Sequence, residues 1–208
     1  MFVRDYMSCD PITIGPDETV GEALKLMEAH SIRRLPVMSH GKIAGLVTNF
    51  DLLKASPSPA TSLSIHEINY LYPMIKIKDV MTKNVITINP DTVIEEAAVV
   101  MRENKIGTLL VEQKGKLLGV ITESDLFKAF IDIFGFNYAG VRIAIEVEDD
   151  IGVLGKIAEN ISSLNINIIS VIIIHTRDGG TNLILRLKTE DLKDVRSKLE
   201  LNGYKLLD

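Results

Sequence analysis

Gly45-Leu-Val-Thr-Asn-Phe-Asp-Leu52 is written a second time, with substitutions, as Gly119-Val-Ile-Thr-Glu-Ser-Asp-Leu126. Both segments open on an apolar run of strand character. Both close on Thr-x-x-Asp-Leu, where a strand should give way to a helix. Outward from this pair, Val3–Ala55 aligns without a gap onto Ile77–Ala129, residue 3 on 77 and residue 55 on 129. Identities include Asp5/Asp79, Met7/Met81, Pro16/Pro90, Ala23/Ala97, Met27/Met101, Gly41/Gly115 and Asp51/Asp125. Helical bias alone would not hold register across strands, turns and helices for so long. The chain contains a duplication.

Each copy reads as β-α-β-β-α. An extended segment (Pro11–Ile14; Val85–Ile88) leads to a turn at Pro16-Asp17 or Pro90-Asp91. A helix follows, with capping boxes expected at Thr19-Val-Gly-Glu22 and Thr92-Val-Ile-Glu95. Val20, Ala23, Leu24 and Met27, matched by Ile94, Ala97, Ala98 and Met101, form a buried stripe at i, i+3, i+4, i+7. Strands over Arg34–Met38 and Ile43–Val47, and again over Thr108–Glu112 and Leu117–Ile121, turn at Ser39-His-Gly41 and Lys114-Gly115. A closing helix begins near Asp51 or Asp125.

These units resemble a tandem CBS-domain module (a Bateman module) in length, order and motif. The residues that carry the likeness are Met7-Ser8 and Met81-Thr82 after the opening segments, and the two closing motifs quoted above. The resemblance implies an adenosine-nucleotide site at each Thr-x-x-Asp, Thr48 with Asp51 and Thr122 with Asp125. A Thr hydroxyl can donate to a phosphate, and a carboxylate three residues on can accept two ribose hydroxyls. Helix N-termini add unpaired N–H groups. Ile12, Ile14, Ile86 and Ile88, with Val47 and Ile121, are candidates to wall the adenine, and Thr13 and Thr87 lie among them. The competing reading is that Asp51 and Asp125 only cap their helices. The copies differ at Arg33-Arg34, where the second has Gly107-Thr108. Arginine can grip phosphate through two donors, so the two clefts are expected to be inequivalent, the Arg33/Arg34 side holding the more charged tail. A solvated basic pair is the alternative.

Composition narrows the function classes. Apolar residues make up 46% of the chain, the net charge is -5 and the pI about 5.4. That acidic balance argues against nucleic acid as the main partner, because phosphate-backbone affinity comes from clustered Lys and Arg. Cys9 is the only cysteine, which excludes an intrachain disulfide and a Cys-rich metal site. The chain begins Met-Phe-Val-Arg-Asp-Tyr, with charges ahead of any apolar run, so no secretory signal is expected. Its most apolar stretch, Ile166–Ile174, is far shorter than the ~20 residues of a membrane span. A cytoplasmic protein without membrane partners is the expectation. His30, His40, His66 and His175 are scattered, and His66-Glu67 is followed by Tyr70 rather than a second histidine, so no metal ligand set forms. Gly41-Lys42 and Gly115-Lys116 are hairpin turns rather than phosphate loops.

The linker begins with the breaker cluster Ser56-Pro-Ser-Pro-Ala-Thr-Ser62, followed by a short helix over Leu63–Leu71. Phe134-Gly-Phe-Asn-Tyr-Ala-Gly140 marks a second boundary. Beyond it the pattern is β-α-β-β-α-β. Val141–Val147 alternates as a strand, and Val153, Ile157, Ile161 and Leu164 mark a helix. Ile166–His175 and Thr181–Lys188 flank the hairpin Asp178-Gly-Gly180. Leu192, Val195 and Leu199 give a last helix, and Tyr204–Leu207 a last strand. That order is ferredoxin-like. Asp150-Ile-Gly-Val-Leu-Gly-Lys-Ile157 followed by Leu164-Asn-Ile-Asn-Ile168 resembles an ACT domain. The family commonly binds amino acids where the first strand meets its helix, which implies Asp150, Gly152, Val153 and Asn167 as an effector site. Ile151 stands where ACT sequences usually carry proline, so Gly152 as a plain turn, and dimerisation without ligand, stay open beside it.

The expected architecture is α+β: two β-α-β-β-α units packed as a pair, plus a ferredoxin-like βαββαβ domain. The expected domains are 1–60, 61–135 (linker helix and second repeat) and 138–208. CBS pair followed by ACT resembles the acetoin-utilization B-type regulatory proteins. A non-catalytic sensor follows, binding AMP, ADP, ATP or S-adenosylmethionine without any cofactor, forming a homodimer and acting on an unnamed enzyme. An assembly module with vestigial clefts is the second reading, and an enzyme the third.

Overall fold

Thr19 shows how the local code acts. Its hydroxyl oxygen accepts the Glu22 N–H at 3.2 Å, while Glu22 accepts the Thr19 N–H at 2.7 Å, closing a capping box at the head of α1 (Val20–Ala29). The Thr19 N–H first, and its hydroxyl second, hold the Glu22 carboxyl below its ordinary pKa. The second copy lacks this device. There Val93 occupies the cap position and makes no side-chain cap bond, because Thr92 stands one residue too early. Buried Ile94, Ala97 and Met101 nonetheless hold α4 (Ile94–Asn104) in place. Packing of the apolar face outweighs the cap.

The computed structural model describes residues 1–55 and 70–207. The linker reading, Ser56–Ser62 and the helix over 63–71, lies outside the described residues apart from Tyr70 and Leu71. The described chain divides into two units, Met1–Leu126 and Phe127–Asp208.

In the first unit the expected hairpins form. Strand β2 (Arg34–Ser39) pairs antiparallel with β3 (Lys42–Thr48), and β5 (Thr108–Gln113) with β6 (Lys116–Thr122), each with one bulge at the equivalent place. Strand β4 (Thr87–Ile88) joins β5 in parallel, and Ile14 bridges Val37 in the same sense. The repeats then exchange their leading segments. Strand β1 (Ser8–Cys9) leaves the first repeat and pairs with Val120 and Gly119 of β6, and Thr82 reciprocally bridges Leu46 of β3. The segments ahead of these strands follow. Val3 donates to the Thr92 carbonyl, and Ile77, heading α3 (Ile77–Val80), donates to the Glu18 carbonyl, both at 2.9 Å. Val3 and Ile77 are wholly buried. Two matched ion pairs, Arg4–Asp91 and Lys78–Asp17, clamp the exchange from outside. Helices α2 (Asn49–Ala55) and α5 (Glu123–Ile133) begin where β3 and β6 end.

The second unit is a four-stranded antiparallel sheet in the order β10-β7-β9-β8, made of β7 (Val141–Val147), β8 (Ile168–His175), β9 (Thr181–Leu187) and β10 (Lys205–Leu206). With α6 (Val153–Ser162) and α7 (Lys193–Leu201), the order is the expected ferredoxin-like one. Ile143, Ile145, Leu183, Leu185 and Leu187 meet Ile157, Ile161, Val195 and Leu199 in its core. Alternation therefore sends Arg142, Ile184 and Arg186 to the opposite face. Phe134–Gly140, expected as a plain boundary, packs within this unit. Ser170 donates to the Phe134 carbonyl at 2.9 Å, and Arg186 donates twice to the Tyr138 carbonyl.

Candidate functional site

Thr48 ends β3, and its side chain sets the geometry of the first site. The Thr48 N–H and hydroxyl both donate to Asp51 Oδ2, at 2.8 and 2.6 Å, and Thr48 Oγ1 accepts the Asp51 N–H at 3.2 Å. The second copy repeats the two bonds to the carboxylate, with Asp125 Oδ2 receiving Thr122 N–H and hydroxyl at 2.8 Å each. Capping and binding are therefore compatible. Thr48 caps its helix by accepting the Asp51 N–H, each aspartate sits three residues after its threonine, and the threonine contacts consume one carboxylate oxygen. In this arrangement each threonine hydroxyl donates to its own aspartate.

The strand exchange builds two clefts, each with walls from both repeats. Cleft 1, about 820 Å³, joins Leu46, Thr48 and Asp51 of the first repeat to Val85, Ile86 and Lys105 of the second, with Asn84, Ile106 and Thr108 beside them. Cleft 2, about 670 Å³, joins Thr122, Glu123 and Val120 of the second repeat to Asp10, Ile12 and Ile32 of the first. Both volumes fall within the ~300–1,000 Å³ of small-molecule sites. Residues 31 and 105 take left-handed backbone at equivalent positions, with φ of 52° and 54°, and swing the following residues towards the clefts.

Of the adenine-wall candidates, Ile12 and Ile86 line clefts, whereas Ile14, Ile88, Val47 and Ile121 are buried in the core. Thr13 and Thr87 are exposed and line neither cleft. Strand alternation is the reason for Val47 and Ile121: if Thr48 faces the cleft, so does Leu46, and Val47 faces inward. Leu46 and Val120 were thus legible in the motif as the wall residues two before each threonine. Asp51 lines cleft 1, while Asp125, equally half-buried, does not line cleft 2.

Arg33 and Arg34 line both clefts, so the expectation that they serve one side is corrected. What distinguishes the clefts is the rest of their charge. In cleft 1 the arginines are joined by Lys105 against the carboxylate of Asp51, whereas in cleft 2 they face Asp10 and Glu123.

In the second unit, Asp150 and Val153 share a hollow of about 380 Å³ with Glu146, Glu148, Lys156 and Lys205. Asn167 lies apart from it, its carbonyl accepting the Lys188 N–H at 2.8 Å. Gly152 has φ of 88° and open space around a built Cβ. The turn requires the glycine; no close approach does.

Comparison with known proteins matches this architecture. A CBS-domain family model covers residues 3–58 and 77–132, and a TTHA0829-like ACT domain model covers 139–208. A CBS domain-containing protein of Dictyostelium discoideum is 34% identical over 135 residues, 64% of this chain and 93% of that protein. The inosine-5'-monophosphate dehydrogenase of Methanocaldococcus jannaschii is 37% identical over 121 residues, 57% of this chain but 21% of the enzyme. Among solved structures, one described as an acetoin utilization protein (AcuB) from Vibrio cholerae has a TM-score of 0.54 and 31% identity, covering 66% of this chain and 95% of that one. The CBS domain pair of protein MJ0100, in complex with 5'-methylthioadenosine and S-adenosyl-L-methionine, has a TM-score of 0.53 and 27% identity over 66% of this chain and 98% of that one. CBSX2 in complex with AMP follows at 0.52 and 26%, over 64% and 97%. The duplication, the reciprocal exchange and the terminal ferredoxin-like unit thus have one common description: the chain belongs to the CBS-domain family, as a tandem pair followed by a TTHA0829-like ACT domain.

Proposed function

We propose that this chain is a regulatory sensor whose two clefts bind adenosine ligands, with Asp51 accepting the ribose hydroxyls in cleft 1 and Asp125, set back from cleft 2, reached only if that cleft opens towards it. The carrying observation is that each aspartate is fixed through one oxygen by its own threonine, which leaves the second oxygen to a ligand without loss of the cap. Structural neighbours bound to AMP, and to 5'-methylthioadenosine with S-adenosyl-L-methionine, support the ligand class. Charge supports a division of labour. Cleft 1, with Lys105 beside Arg33 and Arg34, suits a phosphate tail; cleft 2, where Asp10 and Glu123 offset the arginines, suits a less anionic adenosine ligand. The ACT unit supplies homodimerisation or an amino-acid site at Asp150, Gly152 and Val153, and the output passes to an enzyme rather than to chemistry of the chain's own.

Calorimetric titration of AMP, ADP, ATP and S-adenosylmethionine into wild type, Asp51→Ala and Asp125→Ala tests this. Losing one hydrogen bond to a charged group costs about 1.5–3 kcal/mol, so Asp51→Ala should weaken cleft 1 by roughly ten- to a hundredfold or more, and Asp125→Ala, at a side chain set back from cleft 2, should cost less. Thr48→Val, which disturbs the cap but keeps the carboxylate, should lose less. No saturable heat with any of the four ligands would instead favour an assembly module.

A further inference from the structure

The outer face of the ACT sheet carries a charge arrangement that the adenosine reading leaves unused. Arg142 on β7 stands directly opposite Arg186 on β9. Opposed residues of an antiparallel pair share a face with Cβ atoms about 5 Å apart, where like charges destabilise the pairing. Arg186 is partly served: it donates to the Tyr138 carbonyl at 3.1 and 2.9 Å and lies over the Phe136 ring at 5.1 Å. Arg142 has no hydrogen-bond or ion-pair partner among the described residues. Arg142 and Arg186 both line a cavity of about 290 Å³ together with Ile172, Ile174, Ile184, Phe134 and Phe136. No acidic side chain lines it.

We propose that this cavity binds a small carboxylate with an apolar body and no ammonium group. A carboxylate between Arg142 and Arg186 would neutralise the opposed charges through paired N–H donors. The lining isoleucines would take the apolar body, and the volume, close to the ~300 Å³ floor of small-molecule sites, limits the ligand to a few carbons. An α-amino acid fits poorly, because its ammonium would face two guanidinium groups with no carboxylate to receive it. The site is therefore distinct in chemistry from the Asp150 hollow and from the adenosine clefts.

Titration of 4-methyl-2-oxopentanoate, hexanoate and leucine into the full chain, saturated with AMP throughout, tests the site separately from the clefts. The two amine-free acids should bind saturably, and leucine about tenfold more weakly or worse. Arg142→Gln, at an exposed residue whose side chain makes no native bond, should weaken both acids about tenfold with an unchanged circular dichroism spectrum. Ile174→Glu, at a side chain 43% exposed, should abolish their binding by placing an anion among the lining isoleucines. Absence of saturable binding by either acid, equal binding of leucine, or an Arg142→Gln chain that binds like wild type would each overturn the proposal.

Discussion

A Cβ on Gly45 would lie 2.6 Å from the Thr82 carbonyl oxygen and 2.9 Å from Met81 Sδ; one on Gly119 would meet the Ser8 carbonyl at 2.7 Å and Met7 Sδ at 2.9 Å. The glycine of each closing motif and the methionine of each opening motif are thus two halves of one contact, made between repeats. Gly45→Ala must push the exchanged segment outward, because the carbonyl belongs to a backbone bridge and cannot swing aside. Overpacking of this kind costs about 1–3 kcal/mol, which urea denaturation would register as a lower midpoint. Since Thr82, Val85 and Ile86 line cleft 1, the same substitution should weaken nucleotide binding there more than in cleft 2. At this scale the motif spelled out the Thr–Asp pair, because that contact spans three residues. It did not reveal why the glycines recur, since their partners sit in the other repeat.

Elements carry the exchange, and its outer clamp is electrostatic. The Lys78 ammonium donates to Asp17 at 2.8 Å, and this hydrogen bond first, with the Lys78 charge second, holds the Asp17 carboxyl below its ordinary value. Asp17 in turn raises the Lys78 pKa. A depressed carboxylate pKa contributes stability above the unfolded value of 3.8 and loses it as pH falls through the lower folded value. Asp17→Asn should therefore be slightly less stable than wild type at neutral pH, with the difference shrinking progressively as pH falls below 3.8. Both groups are solvent-facing, so added salt should shrink the effect, and thermal melts across pH would show both trends. Helices α1 and α4 of the repeats, the two helices of the ferredoxin-like unit and the hairpins were legible from periodicity and turn residues, whereas the short α3 was not. The missing cap at Val93 was not, because a threonine one position early satisfies the pattern and fails the geometry.

Across the whole first unit, the two clefts share Arg33 and Arg34, which makes them electrically dependent. Arg34→Ala should weaken adenosine ligands at both sites, ATP more than AMP, and an anion bound in one cleft should lower the affinity of the other for a second anion. Competition titrations of ATP against AMP would read both effects; loss confined to one cleft would contradict the shared role. From sequence alone came the duplication, the β-α-β-β-α and ferredoxin-like orders, the two Thr–Asp pairs and the apolar faces. All of these rest on local rules, period 2 or 3.6, capping and turn chemistry, which act within a few residues. The tertiary structure alone decided which repeat lends its leading strand to the other, and that each cleft has walls from both copies. It also placed Arg142 against Arg186. Pairing between segments tens of residues apart is set by which surfaces bury one another, and no local pattern in the chain encodes that partner.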